Sequence, residues 1–247
     1  MMQIPKTHPR YESLMKREKI IEGMKMGIVA EAGLIAHGRG EAFDYLLGEK
    51  TVLEADLAEK IAAYHLLLAK NPVVSVNGNT AVLVPDDMIK LSEIIPAKLE
   101  INLFYRNEER VKKIADLLRD HGAKEILGEN PDAEIPGLDH KRALCTKEGT
   151  IEADVIIIPL EDGDRASALK KMGKTIIAVD LNPLSRTSKA ADVTVVDDVV
   201  RALPKMISYI EEIRKKEESE DMMKSGIADF NNSDNLEKIL NRMGKKG

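Results

Sequence analysis

The spacing of hydrophobic positions changes near residue 70. Before that point apolar residues recur every three or four positions. Leu14, Ile21 and Met24 share one face of a predicted helix over 11–27, with Pro9 suited to its first turn. A second helical run, 28–35, is predicted to stop at His37-Gly38-Arg39-Gly40, and 41–47 then forms a short helix closed by Gly48. Thr51 and Glu54 read as a capping box that opens a longer helix through Ala69, ended by Asn71-Pro72. Residues 1–72 thus read as an all-helical N-terminal region packed on the core of the protein.

From residue 73 short apolar runs alternate with amphipathic windows. This is the α/β pattern of a mostly parallel sheet flanked by helices, here over 73–216. Strands are predicted at 73–76, 99–105, 126–127, 155–159, 175–179 and 193–196, with helices at 86–95, 108–121, 165–172 and 199–216. The runs VIIIPL and TIIAV are almost wholly apolar, as strands buried on both faces require. Asn77-Gly78-Asn79 admits a hairpin. A strand-to-helix turn, with the helix starting near Ala81, is favoured because DDMIKLSEII beyond it is helical in pattern. The charge run EEIRKKEESED (211–221) leads into 217–247, a charged linker and a last helix that Ser233 can cap. Leu236, Ile239, Leu240 and Met243 line one face of that helix and need the parent domain or a partner subunit to cover them.

Composition narrows the classes. The 247 residues carry 37 basic and 42 acidic side chains, a net charge of −5, so a nucleic-acid scaffold is not expected. No apolar run approaches the ~20 residues of a membrane span. The opening MMQIPKTHPR lacks a signal-peptide core, so a cytoplasmic protein is expected. Cys145 stands alone, which rules out an internal disulfide and a cysteine cage, and it reads as structural. His8, His37, His65, His121 and His140 lack metal-ligand spacing, so no metal site is expected. Absent Trp, 3% aromatic and 32% charged residues lean towards a thermophile.

Parallel sheets collect ligands at the carboxyl ends of their strands. The predicted strands end in Asn77-Gly78-Asn79-Thr80, Arg106-Asn107, Glu161-Asp162-Gly163-Asp164-Arg165, the block DLNPLSRTS over 180–188, and Asp197-Asp198. The block over 180–188 suits a nucleotide. Asp180 or Asn182 can meet ribose hydroxyls or a base edge, Arg186 offers a planar fork to phosphate, and Thr187 or Ser188 adds hydroxyls. The bland alternative is a loop tied by its own Asp, Asn and Ser side chains. Gly38-Arg39-Gly40 fails as a dinucleotide fingerprint because Phe43 stands at the third glycine and no strand precedes it. Gly173-Lys174-Thr175 fails as a P-loop because Ala168 replaces the first glycine and a strand follows. Arg39, set between glycines, has backbone freedom to approach a ligand; Arg17, beside Lys16 and Lys19, reads first as part of a solvated face.

Five segments carry a likeness to a known family. HPRYESL with Arg17, GLIAHGRGEAFDYLLGE, VVSVNGNTAVLVP, INLFYRNEERV and VDLNPLSRTSKAADVTVVDDVVRALP resemble the archaeal 4-phosphopantoate–β-alanine ligases, also called phosphopantothenate synthetases, over nearly the whole chain to about Arg214. The resemblance implies a homodimer with a Rossmann-like core that joins 4-phosphopantoate to β-alanine as ATP becomes AMP and diphosphate, in coenzyme A biosynthesis. It implies ATP contacts at Arg17, Arg39, Asp180, Leu181, Asn182, Arg186, Thr187, Asp198 and Val199. The carboxylate of one substrate must meet the α-phosphate of another, so Mg²⁺ and the guanidiniums of Arg17, Arg39 and Arg186 are expected to neutralise the charge. Arg39, Arg186, Glu161 and Asp162 are the catalytic candidates; Glu161, Asp162 or Asp164 can take the amine's proton or hold its ammonium. Asn77, Asn79, Arg106, Lys141 and Arg142 are candidates for the substrate's own phosphate.

Overall fold

The computed structural model describes residues 4–139 and 141–244; His140 lies outside them. Three helices come first: α1 (Tyr11–Lys25), α2 (Glu31–Leu47) and α3 (Leu53–Leu68). A five-stranded parallel sheet comes next, built from β1 (Pro72–Val76), β2 (Lys98–Ile101), β5 (Val155–Pro159), β6 (Thr175–Val179) and β7 (Val193–Val195) in the order β2-β1-β5-β6-β7. Between them lie α4 (Gly78–Leu83), α5 (Pro85–Ile94), α6 (Glu108–Asp120), α7 (Gly163–Lys171) and α8 (Arg186–Ala190). Helices α9 (Val199–Lys216), α10 (Glu220–Asp229) and α11 (Asn232–Gly244) complete the chain. A separate antiparallel pair, β3 (Ala133–Glu134) with β4 (Leu144–Cys145), sits outside the main sheet. The expected α/β architecture with a helical front is what forms.

The apolar strand runs are explained by two cores. Val74, Val76, Ile157, Ile177 and Val179 face a core shared with α3, α5, α6 and α9. Their strand neighbours Val73, Ile156, Ile158, Ile176 and Ala178 face a second core with α7 and Cys145. Alternate residues point to opposite faces, and here both faces are covered. Each fully buried Ile or Val contributes about 1.5–3 kcal/mol.

Several expectations are corrected. Gly38-Arg39-Gly40 does not interrupt the second helix: α2 runs unbroken through it. Interior glycines cost roughly 1 kcal/mol each. That cost is offset by packing of Phe43 and Leu47 against α11 and by ion pairs from Glu41 and Asp44 to Arg17, Lys16 and Arg201. Thr51 and Glu54 do not form a capping box. Val52 takes the N-cap position of α3, Thr51 donates to Asp197, and Glu54 pairs with Arg242. The strand predicted at 99–105 ends at Ile101, where the Asn102 side chain turns to the carbonyls of Arg142 and Leu144. The stretch 126–127 supplies only an isolated bridge, Leu127 to Glu100. The hairpin reading of Asn77-Gly78-Asn79 is excluded: Asn77 caps α4, its side chain accepting from the amides of Asn79 and Thr80. The charged run after residue 211 is helical on both sides of a short turn, and α10 seats Gly226 against Tyr64, where a Cβ would lie 2.7 Å from the ring. The last helix begins at Asn232, capped by Asn231 rather than Ser233, and buries Leu236, Ile239 and Met243 on the same chain's Leu47, Val52 and Val196. Among the described residues no helix is long and apolar enough to cross a membrane.

A buried acid sits behind this front. Glu59 of α3 is 0% exposed, and among the described residues neither of its carboxylate oxygens has a hydrogen-bond partner. Burial, reinforced by Asp197 and Asp56 and opposed by Lys205 and Arg201, pushes its carboxyl up to about 9. Unfolded, the same group ionises near pH 4.3. The folded state therefore holds a proton that the unfolded state releases, and stability falls as pH rises through that window. Glu59→Gln should stabilise the fold, with a gain that grows by roughly 1.4 kcal/mol per pH unit between about pH 5 and 8. Urea midpoints at several pH values check this; a gain independent of pH would show that Glu59 is ionised in the fold.

Candidate active site

In the strand order, β1 lies between β2 and β5, so the chain steps to one side of β1 for β2 and crosses back to the other for β5. A crevice opens at such a switch point, beyond the carboxyl ends of the strands. Here it is a hollow of about 570 Å³. Helix α2 covers it: a Cβ on Gly33 would lie 2.4 Å from Asn79 Oδ1, and one on Gly40 would lie 3.5 Å from Leu181 Cδ1. The helix spans the hollow from the β1 end to the β6 end, and Gly33 permits its close approach at the first. Arg39 and Arg186 both line this one hollow.

At the β6 end the loop over 180–188 is tied by its own side chains. Asp180 accepts from Ser185 Oγ at 2.6 Å and from the Asn182 amide at 2.9 Å, and Ser188 Oγ donates to Asn182 O at 2.8 Å. Burial raises the Asp180 carboxyl, opposed by those hydrogen bonds and by the nearby Arg39 charge. Ser185 caps α8, which places Arg186 at its first position and leaves that side chain 73% exposed, touching Asp164. Arg39 is exposed and has no carboxylate hydrogen-bonded to it among the described residues. Asp198 caps α9 through the Val200 amide and takes an ion pair from buried Lys16.

The centre belongs to β5. Leu160 adopts φ of 53°, a left-handed conformation costly for a branched side chain. It brings Glu161 and Asp162 over the hollow. Glu161, its side chain 8% exposed, is raised by burial against the pull of Arg165, whose Nη1 donates to it at 3.0 Å. Asp162 caps α7 through Oδ1 and receives Arg142; its Oδ2 is buried and unpartnered among the described residues. Arg142 and then Arg186 hold the Asp164 carboxyl below its ordinary value.

The β1–β2 end carries groups that sequence reasoning missed. Strand β2 sends Asn102, Leu103, Phe104 and Tyr105 to the hollow instead of Arg106. Arg110, at the third position of α6, reaches back into it, with Nε on Ile28 O at 2.7 Å and Nη1 on Tyr105 O at 3.1 Å. Its signal was available: a helix starting just after a strand end turns its first-turn side chains to the same rim. His37 also lines the hollow. Burial lowers its pKa against the charges of Glu41 and Asp198, so it is neutral at pH 7.

Among the sequence candidates, Asn77, Asn79, Glu161, Asp162, Asp180, Leu181, Asn182, Thr187, Asp198 and Val199 line the hollow with Arg39 and Arg186. Others do not. Arg17 stands one layer back, its Nε on both oxygens of Glu41, which does line it. Arg106 donates to the carbonyls of Gly128 and Glu129, away from the hollow. Lys141 is exposed, and Arg142 lies behind Asp162 and Phe104. The reason given for Arg39, a flexible glycine loop, is replaced by a rigid one: it projects from α2. Cys145 is buried outside the hollow, its thiol pushed up to about 12 by burial, and inert.

A family model described as phosphopantothenate/pantothenate synthetase matches residues 54–246. The chain is 54% identical to the 4-phosphopantoate–β-alanine ligase of Thermococcus onnurineus, over 97% of this chain and 92% of that protein. The ligase of the same description from Thermococcus kodakarensis is 53% identical over the same shares. That from Methanosarcina mazei is 49% identical over 98% of this chain and 95% of its own.

Proposed function

This chain belongs to the phosphopantothenate/pantothenate synthetase family, and from that premise we propose how its hollow joins 4-phosphopantoate to β-alanine with ATP, a ligase step of coenzyme A biosynthesis. The observation that carries the site is the convergence of Arg39 from α2 and Arg186 from α8 on the β6 end of one hollow. The nucleotide lies there, its ribose and base along Leu181, Asn182, Asp198 and Val199, its triphosphate between the two guanidiniums. Asp180 serves by shaping this loop, since both its oxygens are occupied within it. Arg17 acts through Glu41 at the edge.

The reaction is two displacements. A carboxylate oxygen of phosphopantoate attacks the α-phosphorus and diphosphate leaves; the β-alanine nitrogen then attacks the acyl carbon and AMP leaves. The first begins with two anions meeting, and in the second negative charge returns to the departing AMP, so Arg39 and Arg186 contribute by neutralising charge on the phosphoryl oxygens. Holding three reactants in one covered hollow removes much of the remaining barrier. Asp162 lines the hollow, held there by Arg142 at Oδ1, and serves to hold the ammonium of β-alanine and take its proton; Glu161 is buried against Arg165, and Asp164 does not line the hollow. Among the described residues no group of three acidic, His or Cys side chains is gathered to hold a metal. Mg²⁺ would be carried by the phosphates of ATP, where it would screen their charge.

Exposed apolar side chains on α2 (Ile35, 71% exposed, and Leu46) and on α3 (Leu53, 76% exposed, and Leu57) are available to contact a second copy in a homodimer. We place the enzyme in the cytoplasm, where ATP and phosphorylated acids are retained. The function is tested by product analysis with labelled ATP: phosphopantoate and β-alanine together should yield AMP and diphosphate. ADP and phosphate would replace the adenylate by an acyl phosphate, and nucleotide binding without consumption would mean a sensor.

A further inference from the structure

We propose that Arg110 is the residue that binds the phosphate of the acid substrate and so makes this ligase select 4-phosphopantoate over unphosphorylated pantoate; this rests on the ligase reading of the hollow. Its basis is the accounting of arginines around the hollow. Arg17, Arg142, Arg165, Arg186 and Arg201 each face a carboxylate of this chain. Arg39 and Arg110 line the hollow without such an ion pair among the described residues. Arg110 is the less solvated of the two, and burial lowers its pKa with no charged neighbour to oppose it. A desolvated guanidinium without a counter-ion is costly, and an anionic ligand removes that cost.

Its geometry is fixed. Nε and Nη1 are committed to the backbone carbonyls of Ile28 and Tyr105, which orients the plane of the guanidinium and leaves Nη2 facing the bare Gly78, where a Cβ would lie 2.7 Å away. The missing side chain at Gly78 is what lets the guanidinium pack against the start of α4, since a Cβ there would also lie 2.4 Å from Ile28 O.

Position separates this anion from the nucleotide. Arg110 belongs to the β1–β2 end and Arg39 with Arg186 to the β6 end, with β5 and Asp162 between. Two strand spacings from β1 to β6 amount to roughly 10 Å. The seven-residue step along α2 from Gly33, over Asn79, to Gly40, over Leu181, gives about the same length. An acid that carries phosphate at one end and carboxylate at the other can therefore seat its phosphate at Arg110 and extend its carboxylate to the α-phosphate near β5. Two phosphorylated substrates thus find one unpaired guanidinium each.

The test is steady-state kinetics of Arg110→Gln and Arg110→Lys with phosphopantoate, pantoate and ATP varied separately. Loss of a charge-assisted contact should raise KM for phosphopantoate by roughly 10- to 100-fold in the Gln variant, and less in Lys. KM for ATP should move less than about 3-fold on the same scale. The preference for phosphopantoate over pantoate, as a ratio of kcat/KM, should fall with it. A rise in KM for ATP instead would assign Arg110 to the triphosphate, and an unchanged preference would remove it from phosphate recognition; either overturns the proposal. Wild-type enzyme that forms no phosphopantothenate would overturn the ligase reading itself. Should the Gln variant lose its helical circular dichroism, the Lys variant decides, together with the shift in Tm that phosphopantoate, and separately ATP, produces.

Discussion

Replacing Arg186 by Ala should lower turnover about 100- to 1000-fold, the usual cost of removing one preorganised charge from a developing oxyanion, and leave the fold intact. The side chain is 73% exposed and its partner Asp164 is exposed too, so their ion pair contributes little to stability. Ser185 still caps α8 through the Ser188 amide at 2.9 Å, so the loop over 180–188 keeps its shape. The deficit should therefore appear in kcat and in KM for ATP, with Tm unchanged. Normal turnover and ATP affinity in a folded variant would remove Arg186 from the site.

Arg165→Met should do the reverse, damaging stability first. Arg165 is 0% exposed, and its Nη1 donates to Ser75 Oγ and Glu161, each at 3.0 Å. It opposes the burial that raises Glu161. Removing it strands a buried carboxyl, and about 3–5 kcal/mol of stability should be lost. If Glu161 is the reason, the double variant Arg165→Met with Glu161→Gln should recover part of that loss. Chemical denaturation of the three variants and the wild type measures the cycle; a single variant as stable as wild type would show that Glu161 is already uncharged.

Much of this architecture is written in local chemistry. The runs VIIIPL and TIIAV became β5 and β6 because a strand buried on both faces has no reason to alternate. Asn77 became a helix cap because its side chain competes for amides that a hairpin would leave to the turn. The loop over 180–188 was legible in part: its Asp, Asn and Ser residues tie the loop, the bland alternative weighed for them, and Ser185 as the cap of α8 sets Arg186 at the hollow. What failed was decided by distant partners. Two glycines looked like a break in α2 until Asp44, Phe43 and Leu47 found Arg201 and α11. Thr51 left its expected cap for Asp197, 146 residues on. Arg106 looked like a strand-end cation only because β2 was read four residues too long, and that same error hid Arg110. The excursion through β3, β4 and the turn at Lys147–Ile151 was invisible because it is organised by Glu100, whose carboxylate takes the amides of Thr146 and Thr150 at 2.6 and 2.7 Å.

A crystal of this protein grown with ATP and 4-phosphopantoate is the most direct measurement. The triphosphate should lie between the guanidiniums of Arg39 and Arg186, with the adenosine along Leu181 and Val199 beneath α2. Density for the nucleotide anywhere else, with those two side chains still facing an empty hollow, would contradict the account.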